Sequence, residues 1–309
     1  MRIAVIDLGT NTFNLLVAET DIFGGFETLY NEKLPVKLGE GGINKGFITQ
    51  EAFIRGLEAL ENYSSTIAQW QCERILAFAT SAVRSASNGN EFVKTVLEKT
   101  GIEIQVISGD MEAEFISMGV RQAVKLGEEP SVIIDIGGGS TEFIIVDEKG
   151  ILWKESFEIG ASRLLQRFQP SDPIKPNEQK EITDYILEEL KPLWEAGEKF
   201  KVKELIGASG SFESLAELIN LRYHSLPELA EKTECEFVLE ECAAIHAEIL
   251  ASTRDQRLKM KGLVAMRVDL IVVSAVLVET VVSRLNISKM RYSSYALKEG
   301  VLWRFLNKK

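Results

Sequence analysis

The stretch VIIDIGGGST, residues 132–141, decides the reading of this chain. A β-branched apolar run ends in a carboxylate, Asp135, and passes into three glycines, Ser140 and Thr141. The apolar run reads as a buried strand and the glycines as a tight turn. Backbone N–H groups in such a turn form an anion-binding concavity, and hydroxyls add donors. Glycine lets the chain approach a phosphate closely because no Cβ stands in the way. A carboxylate at the strand end can hold Mg²⁺ beside that phosphate, directly or through water.

AVIDLGTNTF, residues 4–13, has the same form. An offset of 128 residues puts Asp7 on Asp135, Gly9 on Gly137, Asn11 on Gly139 and Thr12 on Ser140. The apolar flanks match too: Ile3–Ile6 falls on Ser131–Ile134, and Leu15–Val17 on Phe143–Ile145. Two strand–turn–strand units, each opening a domain-sized half, imply duplicated domains with a cleft between them.

Strands and helices alternate elsewhere, which predicts an α/β fold. Strands are expected over 74–80 and 102–108 and at ILWKESFEIG and KELIGASGS. Helices are expected over 49–70, capped by Thr49, over 88–101, closed by Gly101, and over 111–126. Further helices are expected near 177–197, from Phe212, near 236–252 and over 268–282, before a last strand–helix unit. The 309 residues are expected to form two lobes, 1–125 and 126–309, with the last helix free to pack back on the first lobe.

Charge and composition narrow the function. A net charge of −11 argues against a nucleic-acid binder. Three scattered cysteines and two histidines give no disulfide framework and no Cys/His zinc site. The longest apolar stretch, 268–282, contains Asp269 and Glu279 and falls short of the ~20 residues of a membrane span. The first residues do not read as a signal peptide, so the expected location is the cytoplasm. The apolar second half leaves room for a homodimer. No GxxxxGK[ST] is present, position 142 breaks GxGxxG, and GASGS (207–211) lacks the last glycine of a hydrolase elbow at Ser209.

Taken in order, the Asp7–Thr12 turn, ATSAVR (79–84), SGDMEA (108–113), DIGGGSTE (135–142), GASGS and LKEGVL (297–302) resemble the exopolyphosphatase / guanosine pentaphosphate phosphohydrolase family. The resemblance spans essentially the whole chain. It implies two ribonuclease-H-like lobes of the actin–Hsp70–sugar kinase superfamily with an interdomain cleft. It further implies Mg²⁺-dependent hydrolysis of the terminal phosphoanhydride of polyphosphate or guanosine pentaphosphate, by a short two-lobe form. On the residues alone, Glu112 in a first helical turn reads as a carboxylate complementing the helix dipole. The resemblance instead makes it the group that activates water. It likewise implies that Asp135 and Glu142 hold the metal, with Asp7 in direct or water-mediated support. Asn11, Thr12, Gly138, Gly139, Ser140 and Thr141 would clasp phosphate, and Arg84 would face the phosphate chain. Lys298 stands where arginine is common in the family and Lys261 where proline is usual. Arg267 and Asp269 match family positions and could equally pair with each other. Two other readings stay open: a kinase or ATPase of the same superfamily, and a non-catalytic sensor of guanosine penta- or tetraphosphate.

Overall fold

A computed structural model describes residues 1–21, 25–224 and 232–307. The chain order begins β1 (Arg2–Leu8), β2 (Phe13–Thr20), β3 (Phe26–Leu34), α1 (Gln50–Gln69), β4 (Arg74–Ala79), α2 (Ser81–Arg84), α3 (Gly89–Thr100), β5 (Ile104–Val106) and α4 (Gly109–Ala123). It continues with β6 (Ser131–Ile136), β7 (Thr141–Val146), β8 (Ile151–Phe157), α5 (Ala161–Phe168), α6 (Pro176–Glu189), α7 (Lys191–Phe200), β9 (Glu204–Ala208) and α8 (Ser209–Ile219). The last elements are β10 (Glu234–Phe237), α9 (Leu239–Ala251), α10 (Arg254–Arg257), α11 (Leu270–Leu285), β11 (Lys289–Ser293) and α12 (Leu297–Leu306).

The first sheet has the order β3-β2-β1-β4-β5, and the second β10-β11-β9-β6-β7-β8. In the first, β1–β2 and β2–β3 run antiparallel while β1–β4 and β4–β5 run parallel. Read from β8, the second sheet repeats that arrangement: two antiparallel pairs, then two parallel ones, with β10 added at the edge. These are two ribonuclease-H-like lobes, and the 128-residue offset seen in the sequence relates their opening hairpins.

Both faces of the central strands are covered, which is why they read as unbroken apolar runs. On β1, Ala4, Ile6 and Leu8 pack towards α1 and α3, whereas Ile3 and Val5 face the middle of the molecule. On β6, Ile133 faces the middle, and Val132, Ile134 and Ile136 face the large core of the second lobe. The middle is filled by α4 and α12, whose Phe115, Ile116, Val120, Leu297, Val301 and Leu302 join residues of both sheets in one cluster. Their backbones nearly touch. A Cβ on Gly119 would lie 1.9 Å from the Ala296 carbonyl oxygen, and one on Gly300 would lie 1.8 Å from that of Phe115.

Several predicted boundaries move, each for a local reason. The helix expected near 177–197 is two helices broken at Leu190. Pro192 lacks an N–H and its ring would clash with the carbonyl four residues back, but it fits the first turn of a new helix. The helix expected near 236–252 starts at Leu239, because Glu234–Phe237 pairs with β11. The strand expected over 102–108 keeps only three residues, and α4 ends at Ala123 where Val124 turns extended. Thr49 does cap α1, accepting the Ala52 N–H, and Gly101 closes α3 in the left-handed conformation. Among the described residues no helix is long and apolar enough to cross a membrane.

The α4–α12 crossing generates a prediction. Gly300→Ala forces the helices apart and costs more than about 2 kcal/mol of stability, the scale of overpacking a tight interior. Urea denaturation checks this, and a midpoint equal to the parent's contradicts it.

Candidate active site

The two antiparallel hairpins carry the site. In each, the strand-end carboxylate sits opposite the residue seven positions later: Asp7 faces Asn14 and Asp135 faces Glu142. Directly opposed residues project from the same sheet face. In the first lobe the pairing is benign, because Asn14 Nδ2 donates to Asp7 at 3.0 Å. In the second it sets two carboxylates side by side. Asp135 accepts from Ser209 Oγ at 2.7 Å, and Glu142 from Ser156 Oγ at 2.7 Å. Ser209 holds a left-handed φ of 62°, a conformation costing about 1–3 kcal/mol for a non-glycine residue. It aims its hydroxyl at Asp135 in return.

Glu112 comes from the first turn of α4, where the Ser108 hydroxyl accepts the Met111 N–H at 3.2 Å. It is 7% exposed, and Arg84 Nη1 donates to it at 2.9 Å. Arg84 also donates to the Ile107 carbonyl at 3.0 Å and lies 3.7 Å from Glu158.

Three buried carboxyl groups and the half-buried Asp7 therefore share one region, and each holds its proton more tightly than usual. Burial, with Asp135's charge and against Lys298, raises Asp7 to about 7. Burial raises Asp135 to about 6, against the Ser209 hydrogen bond and Arg267. Burial and Asp135 raise Glu142 to about 8. Burial and the Glu142 charge push Glu112 well up, with Arg84 pulling the other way. Strongly perturbed groups gathered in a cleft mark a functional site.

The cleft has a volume of about 610 Å³. Asp7, Asn11, Thr12, Glu112, Asp135, Gly138, Gly139, Ser140 and Glu142 all line it, so both turns and all four carboxylates meet there. The turns are pressed together: a Cβ on Gly139 would lie 2.6 Å from both Thr10 Oγ1 and Ser81 Oγ. Among the described residues, Thr10 Oγ1 is the one buried side-chain polar atom without a hydrogen-bond partner. Two expected residues stay out of the lining. Thr141 is fully buried in β7, its hydroxyl donating to the Ile159 carbonyl, so it braces the second turn. Arg84 stands with Glu112 and the Ile107 carbonyl. Arg267 and Asp269 do not pair with each other: Asp269 accepts from Arg254, while Arg267 lines the cleft beside Glu213. Sequence reasoning missed Thr10, Asn14, Ser209, Ser156, Lys33 and Glu213. Thr10 and Ser209 lie in motifs singled out above without a role of their own, and the offset places Asn14 on Glu142; the other three have no local signal.

Comparison with known proteins places the whole chain beside one family. The model of the Ppx/GppA phosphatase family matches residues 16–309. A crystal structure of an exopolyphosphatase from Cytophaga hutchinsonii is 40% identical, covers 99% of this chain and 98% of that one, and superposes with a TM-score of 0.96. Exopolyphosphatase 1 of Mycobacterium bovis is 28% identical over 309 residues, 99% of this chain and 89% of that protein. A Ppx/GppA family member from Aquifex aeolicus, 23% identical with a TM-score of 0.82 over 100% of this chain and 99% of that one, shares the fold.

The raised carboxyl groups predict a pH dependence of stability. A carboxyl that binds its proton more tightly when folded stabilises the fold below its unfolded pKa and loses that contribution as pH rises through its folded value. For Glu142 the folded value is about 8, and for Asp7 about 7. Buried His246, lowered from 6.5 to about 4, acts in the opposite direction, but only below its ordinary value. The melting temperature of the metal-free protein therefore falls between about pH 6.5 and 8.5, and Glu142→Gln makes the fall shallower. Parallel curves for parent and variant contradict the assignment.

Proposed function

Since the chain belongs to the Ppx/GppA phosphatase family, we propose that it hydrolyses the terminal phosphoanhydride bond of inorganic polyphosphate, short chains favoured, or of guanosine pentaphosphate. The reading is carried by one observation: Glu112, held by Arg84, lines the same cleft as both glycine turns. In the proposed reaction Glu112 takes a proton from water, and the water oxygen bonds to the terminal phosphorus. The bond from that phosphorus to the bridging oxygen breaks, and the shortened chain leaves with the electron pair. A base held above the ordinary carboxylate range accepts a proton more readily at neutral pH than a free glutamate. Arg84 fixes its orientation. The unpartnered Thr10 hydroxyl, Ser140 and the two turns are the groups available to the terminal phosphate, and positioning dominates such transfers.

The donor set fits Mg²⁺ as cofactor. Asp7, Asp135 and Glu142 are hard oxygen donors in excess of the cations beside them. Among the described residues no three Asp, Glu, His or Cys side chains gather as a metal cage. Mg²⁺ keeps several waters and takes one or two carboxylates plus substrate phosphate, and Asp135 opposite Glu142 supplies two. Asp135 and Glu142 would hold it, with Asp7 in support through water. When bound, it supplies neutralisation of phosphate charge.

Two predictions test this reading. Glu112→Gln keeps the shape and removes the base, so turnover falls at least ~10²-fold while substrate binding persists; near-normal phosphate release from a folded variant sinks the assignment. The second concerns chain length. The cations lining the cleft are Lys33, Lys232, Arg267 and Lys298, enough to meet the first few phosphates of a chain but not a long polyanion. Short substrates then have a kcat/KM at least equal to that of chains hundreds of units long. A steep, processive preference for the long chains contradicts it.

A further inference from the structure

The mouth of the cleft is crossed by an ion pair. Lys33 lies in β3 of the first lobe and Glu213 in α8 of the second. Lys33 Nζ stands 2.6 and 2.7 Å from the two oxygens of that carboxylate. Arg267 Nη2 approaches the same carboxylate at 3.7 Å. Its guanidinium is pressed onto Gly210, where a Cβ would lie 1.5 Å from it, so its position is fixed by packing. All three side chains line the cleft that contains the two turns. The Lys33 and Glu213 side chains keep 34% and 39% of their exposure, so the pair stands where an entering solute meets it.

The cleft mixes both signs of charge: Asp7, Glu112, Asp135 and Glu142 line it together with Lys33, Lys232, Arg267 and Lys298, and Arg267 and Lys298 act on Asp135 and Asp7. Among these, Lys33 and Arg267 are the two cations that share Glu213. A substrate whose terminal phosphate sits at the turns brings its following phosphates towards those two cations. A carboxylate presenting both oxygens satisfies a lysine and an arginine much as a phosphate group does. Glu213 already holds that position. Burial opposes its charge, but Lys33, Arg267 and Lys298 more than offset burial and keep it below the usual range.

We propose that Glu213 is an internal stand-in for substrate phosphate. It occupies Lys33 and Arg267 in the free protein and is displaced from them by the inner phosphates of a chain. The proposal rests on the phosphohydrolase reading above and adds a specificity device to it. Only a ligand with several consecutive phosphates can reach both the turns and the bridge. Orthophosphate, held at the turns alone, leaves the bridge closed. Displacing Glu213 lowers the affinity of every oligophosphate, which favours turnover over tight retention.

The test is equilibrium binding of tripolyphosphate and of orthophosphate, in chelator to prevent turnover, to the parent, Glu213→Gln, Lys33→Gln and the double variant. Glu213→Gln is expected to bind tripolyphosphate at least about tenfold more tightly, the scale of removing one like charge from a low-dielectric cleft. Its affinity for orthophosphate stays at the parent's. Its binding falls more steeply with salt, because two cations become free to contact the ligand. The gain shrinks in the Lys33→Gln background. A gain equal for both ligands, or tripolyphosphate binding no tighter than the parent's (including none detectable in either), overturns the proposal. Glu213→Ala repeats the comparison if Glu213→Gln is unstable. A parent that binds tripolyphosphate but does not hydrolyse it once Mg²⁺ is supplied contradicts the hydrolase reading and leaves the binding comparison to judge the bridge. Hydrolysis with unchanged Glu213→Gln affinity contradicts the bridge alone.

Discussion

Two helices crossing without side chains between them set the geometry of the molecule. Gly119 and Gly300 let α4 and α12 meet backbone to backbone in the layer between the two sheets. Each helix begins in the cleft and then enters the crossing. Glu112 precedes Gly119 by seven residues, about two turns, and Lys298 precedes Gly300 by two. Fixing the crossing therefore fixes where the candidate base and the nearest lysine stand relative to the two glycine turns. A wider crossing would move both lobes, and the Thr10–Gly139 contact between the turns would be lost.

The duplicated hairpins have diverged where charge matters. The position opposite the strand-end aspartate is a neutral amide in the first lobe and a carboxylate in the second. One asparagine stabilises ionised Asp7, while the Asp135 charge destabilises ionised Glu142. Burial holds the proton on carboxyl groups of both lobes, and together they give the cleft an acidic region suited to a cation and a terminal phosphate. Part of the balancing positive charge, on Lys33 and Arg267, is paired with Glu213. An acidic protein holds a polyanion through such local groups, since its overall field repels one.

Much of this was legible in the sequence. The two turns, the repeat and the two-lobe α/β fold rest on short-range signals: β-branched runs, a carboxylate, then glycines. Glu112 was readable as a base only through resemblance to a family, because a glutamate in a first helical turn has an ordinary explanation. Thr141 looked like a phosphate ligand by adjacency, but strand alternation turns its hydroxyl to the Ile159 carbonyl. Pro192 is a visible break inside the stretch expected as one helix. The Lys33–Glu213 bridge spans 180 residues of chain, and the Gly119–Gly300 crossing a similar distance. Neither pair has a local pattern, so both required the tertiary structure.

Hydrolysis in this cleft requires that activated water attack a terminal phosphate. Orthophosphate release from tripolyphosphate in ¹⁸O-labelled water, with Mg²⁺ and with chelator, tests it most directly. The account predicts one labelled oxygen in each terminal phosphate released, with release lost on chelation. Tight binding without release, or phosphate passed to another acceptor with no label incorporated, would contradict it.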